Sequence, residues 1–216
     1  MRVRERLGVS ARRQAQAVRV LQLCLVGFVF VGAYRGELGV VVNAGVGLAV
    51  SELPALIERD YGVSMDPAHV LWVTLAVFLH ALGTVGVPGT GSFYQNVWWW
   101  DHLTHTLSSS VVAAVGYATV RAVDDHADSV DFPRAFEFAL LFVITLAFGV
   151  FWEVIEFSIS GVAGAVGATS VLTQYGVTDT MLDLIFDTAG ALVVAVVGVA
   201  SLTDVASAIL ARDRTE

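Results

Sequence analysis

The chain has 216 residues, of which 56% are hydrophobic and 15% are charged, and its mean hydropathy is +0.72. This composition excludes an ordinary water-soluble domain. The net charge of −8 and the few basic residues, which form no patch with interleaved aromatics, argue against nucleic-acid binding. The lone Cys24 excludes an intramolecular disulfide and gives no support to a cysteine-based metal site.

The hydropathy pattern predicts an all-α fold, a polytopic membrane helix bundle with six transmembrane helices. A helix needs about 20 apolar residues to cross the hydrocarbon core, and six segments are long enough or nearly so. In chain order, the predicted spans are 18–34, 38–57, 69–86, 98–121, 134–159 and 179–210. We divide the chain into a basic N-terminal segment (1–17), the six-helix domain (18–211) and a short tail (212–216).

The arginines predict the orientation of these spans in the cell membrane. All the basic residues are arginine, and six of them lie before the first span or at its start: Arg2, Arg4, Arg6, Arg12, Arg13 and Arg19. Positive charge is retained in the cytoplasm, so both termini are predicted to be cytoplasmic, and of the remaining arginines only Arg35 falls on the outer side. The alternative for the first span is a cleaved signal peptide. The arginine usage and the acidic balance also fit a salt-adapted organism of the halophilic archaeal type.

Two glycine-rich connections, 87–97 and 160–178, lie on the predicted outer side. The apolar stretch from Gly161 to Val171 either forms an exposed loop or dips back into the bilayer over a cavity. The tryptophan run 98–100 is typical of a membrane interface.

Ionisable side chains within three of the apolar spans are the main functional signal. They are Asp101, His102 and His105 in the fourth span, Glu153 and Glu156 in the fifth, and Asp179, Asp183 and Asp187 in the sixth. Such groups are costly at membrane depth and usually face a protein interior or a wet cavity. At 1.5 Å per residue, nearly all of them fall within roughly 12 Å of the outer boundary, so we expect one polar layer.

The spacing of these residues, three or four apart, puts the members of each set on one helix face. Carboxylates and imidazoles from facing helices can bind a divalent metal, and without thiolates they suit Zn, Mn or Fe. We predict metal ligands among His102, His105, Glu156, Asp183 and Asp187. Glu153 and Asp101 are the predicted catalytic residues, with Glu153 as general base.

Other polar residues are interpreted as structural. His80 is expected to pack against a neighbouring helix, and Glu137 to snorkel or pair near Arg134. Asn43 and Glu52 are assigned to the inner half of the bilayer.

Three motifs carry a family resemblance over roughly residues 98–194. They are Asp101-His102, Trp152-Glu153 with Glu156, and Asp179-Thr180-x-x-Asp183 leading to Gly190-Ala191. The chain resembles the uncharacterised YjdF-like family of integral membrane proteins. Its last helix also resembles the VanZ-like family, with Asp187 where that family has Asn. The resemblance implies a multi-pass membrane location but no particular chemistry.

Two main functions follow from the polar layer. The favoured one is an outward-facing, metal-dependent hydrolase or transferase acting on membrane lipid, with Tyr94 and Gln95 of the 87–97 connection bordering the substrate. The rival is a proton or cation relay, and a non-catalytic scaffold subunit is a third option. The sequence leaves the oligomeric state open.

Overall fold

The structure is a computed structural model, and it describes residues 9–87, 89–126, 132–172 and 174–198. It is almost entirely helical, as the hydropathy pattern predicts. The helices are α1 (Ala11–Arg35), α2 (Leu38–Tyr61), α3 (Pro67–Thr84), the short α4 (Phe93–Asn96), α5 (Trp100–His126), α6 (Arg134–Ala165) and α7 (Val177–Val193). Two-residue strands β1 (Gly86–Val87) and β2 (Gly91–Ser92) pair in antiparallel fashion before α4, and a π-helical turn (Val194–Gly198) follows α7.

Five of the described helices are long and apolar enough to cross a membrane: α1, α2, α3, α5 as far as Asp124, and α6. They correspond to the first five predicted spans. The predicted sixth span, 179–210, begins as α7, which has 17 residues, and then extends beyond Gly198 to residues outside the described ranges. The count of six spans and the orientation of the termini therefore stay predictions.

Local sequence signals explain where the first helices begin and end. Ser10 caps α1 by accepting a hydrogen bond from the backbone N–H of Arg13, and Asp66 caps α3, which begins with proline. Gly36 and Gly62 end α1 and α2 in the left-handed conformation, with φ of 71° and 63°. Glycine adopts this conformation at little cost, so each of these helices ends in a tight turn.

The described helices pack as two groups of three, α1–α3 and α5–α7, which meet where α3 contacts α5. The first group closes around Leu25, Ala44 and Ala81. In the second group, α5 and α7 approach closely at Gly190, where a Cβ atom would collide with Ser109 and the Thr106 carbonyl. Small residues allow this approach, and it brings the polar faces of α5 and α7 together.

Both glycine-rich connections, predicted as loops, contain regular secondary structure. Helix α6 continues to Ala165, six residues past its predicted end, because Gly161 and Gly164 are accommodated within the helix rather than ending it. A helical glycine costs only about 1 kcal/mol relative to alanine. The shorter connection that remains is fixed to α2, since Asn43 donates to the Val171 carbonyl at 2.9 Å. This contact joins the connection between α6 and α7 to α2.

Candidate metal centre

His105 lies at the centre of a group of carboxylates contributed by α5 and α7. Its Nε2 atom is 3.7 Å from Oδ1 of Asp101 and 3.8 Å from Oδ1 of Asp183. Its Nδ1 atom is 3.2 Å from Oδ1 of Asp187. Both nitrogens of one partly buried imidazole therefore face carboxylates.

The contact with Asp187 selects the tautomer of His105. An ionised carboxylate only accepts hydrogen bonds, so with Asp187 ionised and the ring of His105 neutral, Nδ1 donates its proton to Asp187 and Nε2 keeps a free lone pair. Histidines that bind metals commonly have such a carboxylate on the other ring nitrogen, where it fixes the orientation of the ring and raises its basicity. The lone pair of His105 points to the side where Asp101 and Asp183 lie.

The ligand atoms of Asp101, His105 and Asp183 all lie within 4.8 Å of one another. Donor atoms about 2.0–2.2 Å from one tetrahedral metal are separated by roughly 3.5 Å, close to the two N···O separations at Nε2. The side chain of Asp183 is almost fully buried, and its Oδ1 atom has no hydrogen-bond partner among the described residues. An unpaired buried carboxylate oxygen is costly, and a cation would satisfy it.

The charge balance of this group also favours a cation. Three carboxylates, those of Asp101, Asp183 and Asp187, surround one imidazole, and they can all ionise only if compensating charge is present. The arginine ion pairs of the described residues lie elsewhere: Arg35 with Glu37, Arg59 with Asp60, and Arg121 with Asp124 and Glu137. The carboxylates must therefore share protons or bind a cation.

Two features bring these side chains together: their spacing along α5 and α7, and the close approach of α6 at Gly149. Asp101 and His105 are four residues apart on α5, and Asp183 and Asp187 are four apart on α7, so each pair shares a face. On α6, Gly149 leaves room for Asp187, because a Cβ atom at this position would collide with the Asp187 carboxylate. Thus α6 forms the back wall of the site.

The two glutamates predicted at this site, Glu153 and Glu156, are not among the three residues whose ligand atoms are grouped. Glu153 is buried; its Oε2 atom accepts a 2.7 Å hydrogen bond from Thr180, and its Oε1 atom has no partner among the described residues. Glu156 accepts a 3.0 Å hydrogen bond from the indole of Trp152, one turn earlier on α6. Apart from its place in the Asp179-Thr180 motif, nothing in the sequence points to Thr180.

Two residues of the predicted layer have other contacts. The ring of His102 stacks on Phe186, with centroids 4.2 Å apart and planes inclined by 9°, and His102 is not one of the three grouped ligand residues. Asp179 accepts a hydrogen bond from the backbone N–H of Tyr175 and so supports the start of α7. The role of His102 as a ligand stays a prediction, and this geometry does not favour it.

A hydrogen-bonded chain joins α2, α3 and α4 beside the site. Asn43 donates its amide N–H groups to two backbone carbonyls, so its Oδ1 atom must accept from Nε2 of His80, at 3.2 Å. Nδ1 of His80 then accepts from the Tyr94 hydroxyl at 2.8 Å. His80 is thus a packed histidine, as predicted, whereas the assignment of Asn43 to the inner half was wrong because Asn43 contacts the end of the bundle that holds the site.

The opposite end of the bundle has its own ion pair. Glu137 is buried and lies 3.0 Å from Arg121 of α5. Pairing was predicted for Glu137, but the partner is Arg121, which comes close because α5 and α6 are antiparallel neighbours.

Gln95, predicted to border substrate, accepts a hydrogen bond from the Ser92 backbone N–H and caps α4.

These observations define the class: a multi-pass, all-helical membrane protein with a partly buried group of histidine and aspartate side chains. The family model described as "Predicted membrane protein (DUF2238)" matches residues 17–204, and the chain belongs to this family. The membership agrees with the YjdF-like resemblance, and the VanZ-like similarity stays a prediction. The chain is 32% identical over 120 residues to an uncharacterised protein of Thermotoga maritima, a match that covers 56% of each chain. No solved structure matches significantly.

Proposed function

We propose that Asp101, His105 and Asp183 bind a divalent metal and that the protein is a metal-dependent hydrolase or transferase of the cell membrane acting on lipid. One observation carries the proposal: the Nε2 lone pair of His105 converges with two carboxylates while Asp187 holds the opposite ring nitrogen. Oxygen and imidazole ligands without thiolate suit Zn, Mn or Fe. Three protein ligands leave a position for water or substrate, as in catalytic metal sites.

Glu153 is the proposed general base. It lies on α6 beside the start of α7, and its Oε1 atom has no hydrogen-bond partner among the described residues. In hydrolysis this oxygen would accept the proton of the attacking water and return it to the leaving oxygen of the lipid. The metal would supply positive charge that lowers the pKa of the water and polarises the bond that is cleaved.

A metal-dependent enzyme fits the site better than a relay through the membrane. Below the site, α5, α6 and α7 close around an apolar cluster, which consists of Ala113, Ala114, Tyr117, Leu141, Ala191 and Val194. The buried hydroxyls of Thr74 and Thr145 donate to carbonyls of their own helices. A transport path needs polar groups in both halves of the bilayer. These contacts support a site that opens to one face of the membrane, the outer face if the predicted orientation holds.

Metal content of the purified protein tests the proposal. The wild type, loaded in turn with Zn, Mn and Fe and then dialysed, should retain about one metal per chain by inductively coupled plasma mass spectrometry. His105→Ala should lose it, whereas the matched control His102→Ala should keep it. If no metal is retained by folded wild-type protein, the metal centre is wrong.

Lipid turnover tests the chemistry separately. The metal-loaded protein, reconstituted in vesicles of total polar lipids, should release new products detected by mass spectrometry. Chelation or Glu153→Gln should stop their release, although Glu153→Gln should leave the metal content unchanged. A stoichiometric metal with no turnover of any lipid would contradict the enzyme and favour a cation-binding role.

A further inference from the structure

The three tryptophans that lie before α5 and at its start differ in exposure. Trp98 is 82% exposed and Trp99 is 43% exposed, as expected for side chains at a membrane interface. Trp100, the first residue of α5, is only 7% exposed. A buried indole N–H needs an acceptor, and Nε1 of Trp100 donates to the Leu79 carbonyl of α3 at 3.2 Å. Trp100 therefore belongs to the interior of the bundle, where it joins α5 to α3.

A glycine of α3 makes room for the indole ring of Trp100. A Cβ atom at Gly83 would lie 2.7 Å from Nε1 of Trp100 and would also collide with the ring of Tyr94. The ring of Phe93 packs against the indole, with centroids 4.7 Å apart. Since Phe93 and Tyr94 both belong to α4, the indole is held between α3 and α4. This close packing leaves the first turn of α5 little freedom to move relative to α3.

The proposed metal ligand Asp101 is the residue next to Trp100. Its carboxylate lies 3.7 Å from Nε2 of His105, which is too far for a hydrogen bond, so this contact does not fix its direction. Asp187, by contrast, is fixed by its 3.2 Å hydrogen bond to the same ring. Asp101 also lies in the first turn of α5, where helices fray most easily because their N–H groups lack partners within the helix. The direction of its carboxylate therefore depends on what holds this turn.

We infer that Trp100 is a positioning residue for Asp101: its indole fixes the first turn of α5 against α3 and so aims the Asp101 carboxylate at the proposed metal centre. The inference rests on the proposed function for the role of Asp101 as a metal ligand. The contact between Trp100 and Leu79 itself does not depend on a metal. A tryptophan that only stabilises the bundle would affect metal binding whether or not Asp101 is present, whereas a positioning tryptophan acts through Asp101.

A double-mutant cycle separates these two roles. The affinity for the metal that the loaded wild type retains is measured by competition with a chelator. Trp100→Phe keeps an aromatic ring but removes the N–H donor, and it should lower this affinity about fivefold, the factor expected for one lost hydrogen bond. In the background of Asp101→Ala, which removes the ligand, Trp100→Phe should cause no further loss. Trp98→Phe is the control and should leave the affinity unchanged. Full additivity of Trp100→Phe and Asp101→Ala would overturn the inference.

Gly83→Ala displaces the same ring from the side of α3 and leaves the sequence of α5 intact. Its Cβ atom collides with Nε1 of Trp100, so this variant should show a similar loss of metal affinity and the same dependence on Asp101. Gly45→Ala on α2 is the matched control, because its Cβ atom would meet no atom within 4 Å. Circular dichroism and thermal unfolding establish that each variant is folded. A folded Gly83→Ala protein with the affinity of Gly45→Ala would contradict the positioning role.

Hydrogen exchange of the metal-free protein distinguishes failure of this inference from failure of the proposed function. Trp100→Phe should speed amide exchange in residues 101–106, at the start of α5, and leave residues 177–183, at the start of α7, unchanged. If exchange rises but the wild type retains no metal, Trp100 holds this turn and the metal centre is wrong, and the ligand role of Asp101 is wrong with it. If the wild type retains metal but Trp100→Phe changes neither exchange nor affinity, the metal centre stands and the positioning role is wrong.

Discussion

Asp187 and His105 are hydrogen-bonded across the interface of α7 and α5, with Oδ1 and Nδ1 3.2 Å apart. In the proposed metal centre this contact would direct Nε2 of His105 at the metal, because a carboxylate on Nδ1 fixes which ring nitrogen carries the proton. The proposed metal site would then also depend on Asp187, which is not one of its three proposed ligands.

The first prediction concerns the contact between Asp187 and His105. Asp187→Asn removes the charged acceptor for Nδ1 of His105, so the ring loses basicity and a fixed orientation. Metal affinity should fall by about 10- to 100-fold, the usual effect of removing such a partner. Competition with a chelator of known affinity measures it. Asp179→Asn is the matched control, since Asp179 supports the start of α7 and should leave the affinity unchanged. Equal affinities of all three proteins would contradict the role of Asp187.

The second prediction concerns the back wall of the site. Gly149→Ala introduces a Cβ atom that collides with the Asp187 carboxylate, so Asp187 must move away from His105. We expect weaker metal binding and a loss of about 1–3 kcal/mol of stability, typical of overpacking. Gly161→Ala on the same helix is the control, because its Cβ would meet no atom within 4 Å. Thermal unfolding and metal content of both variants check this, and unchanged metal binding in Gly149→Ala would contradict it.

The sequence predicts the class of fold and the members of the polar layer because burial of a charge in hydrocarbon is so costly that each charged residue is informative. It does not predict which side chains converge. His102 and His105 look equivalent at a spacing of three residues, yet His102 stacks on Phe186. Residues Gly149 and Gly190 decide the convergence through helix contacts that no pattern along one segment can reveal.

The third prediction is a pH dependence. Burial raises the pKa of the Tyr94 hydroxyl well above its usual range, the hydrogen bond with Thr104 lowers it, and nearby carboxylates such as Asp101 raise it again. Because the folded-state pKa is raised, Tyr94 contributes stability that is present below its unfolded pKa of about 10 and is lost as the pH rises further. Stability should therefore decline in alkaline solution as the unfolded chain ionises.

Tyr94→Phe tests this assignment. The variant should lose about 1–3 kcal/mol near neutral pH, because Nδ1 of His80 is left without its donor. It should also show a shallower decline of stability above about pH 10 than the wild type. Denaturant unfolding as a function of pH measures both effects. Tyr34→Phe is the control, since Tyr34 is 93% exposed and should change neither. Parallel pH profiles for wild type and Tyr94→Phe would refute the raised pKa.

The last prediction separates stability from function. Glu137→Gln removes the charge that pairs with Arg121 at the end of the bundle opposite the metal centre. Arg121 is partly exposed and also contacts Asp124, so the loss should be about 1–3 kcal/mol, less than for a fully buried pair. Metal content and turnover should stay at wild-type levels at temperatures where the variant is folded, because an apolar cluster lies between the two ends. Loss of metal or turnover in the folded variant would instead link the two ends, which is the behaviour that a relay through the membrane requires.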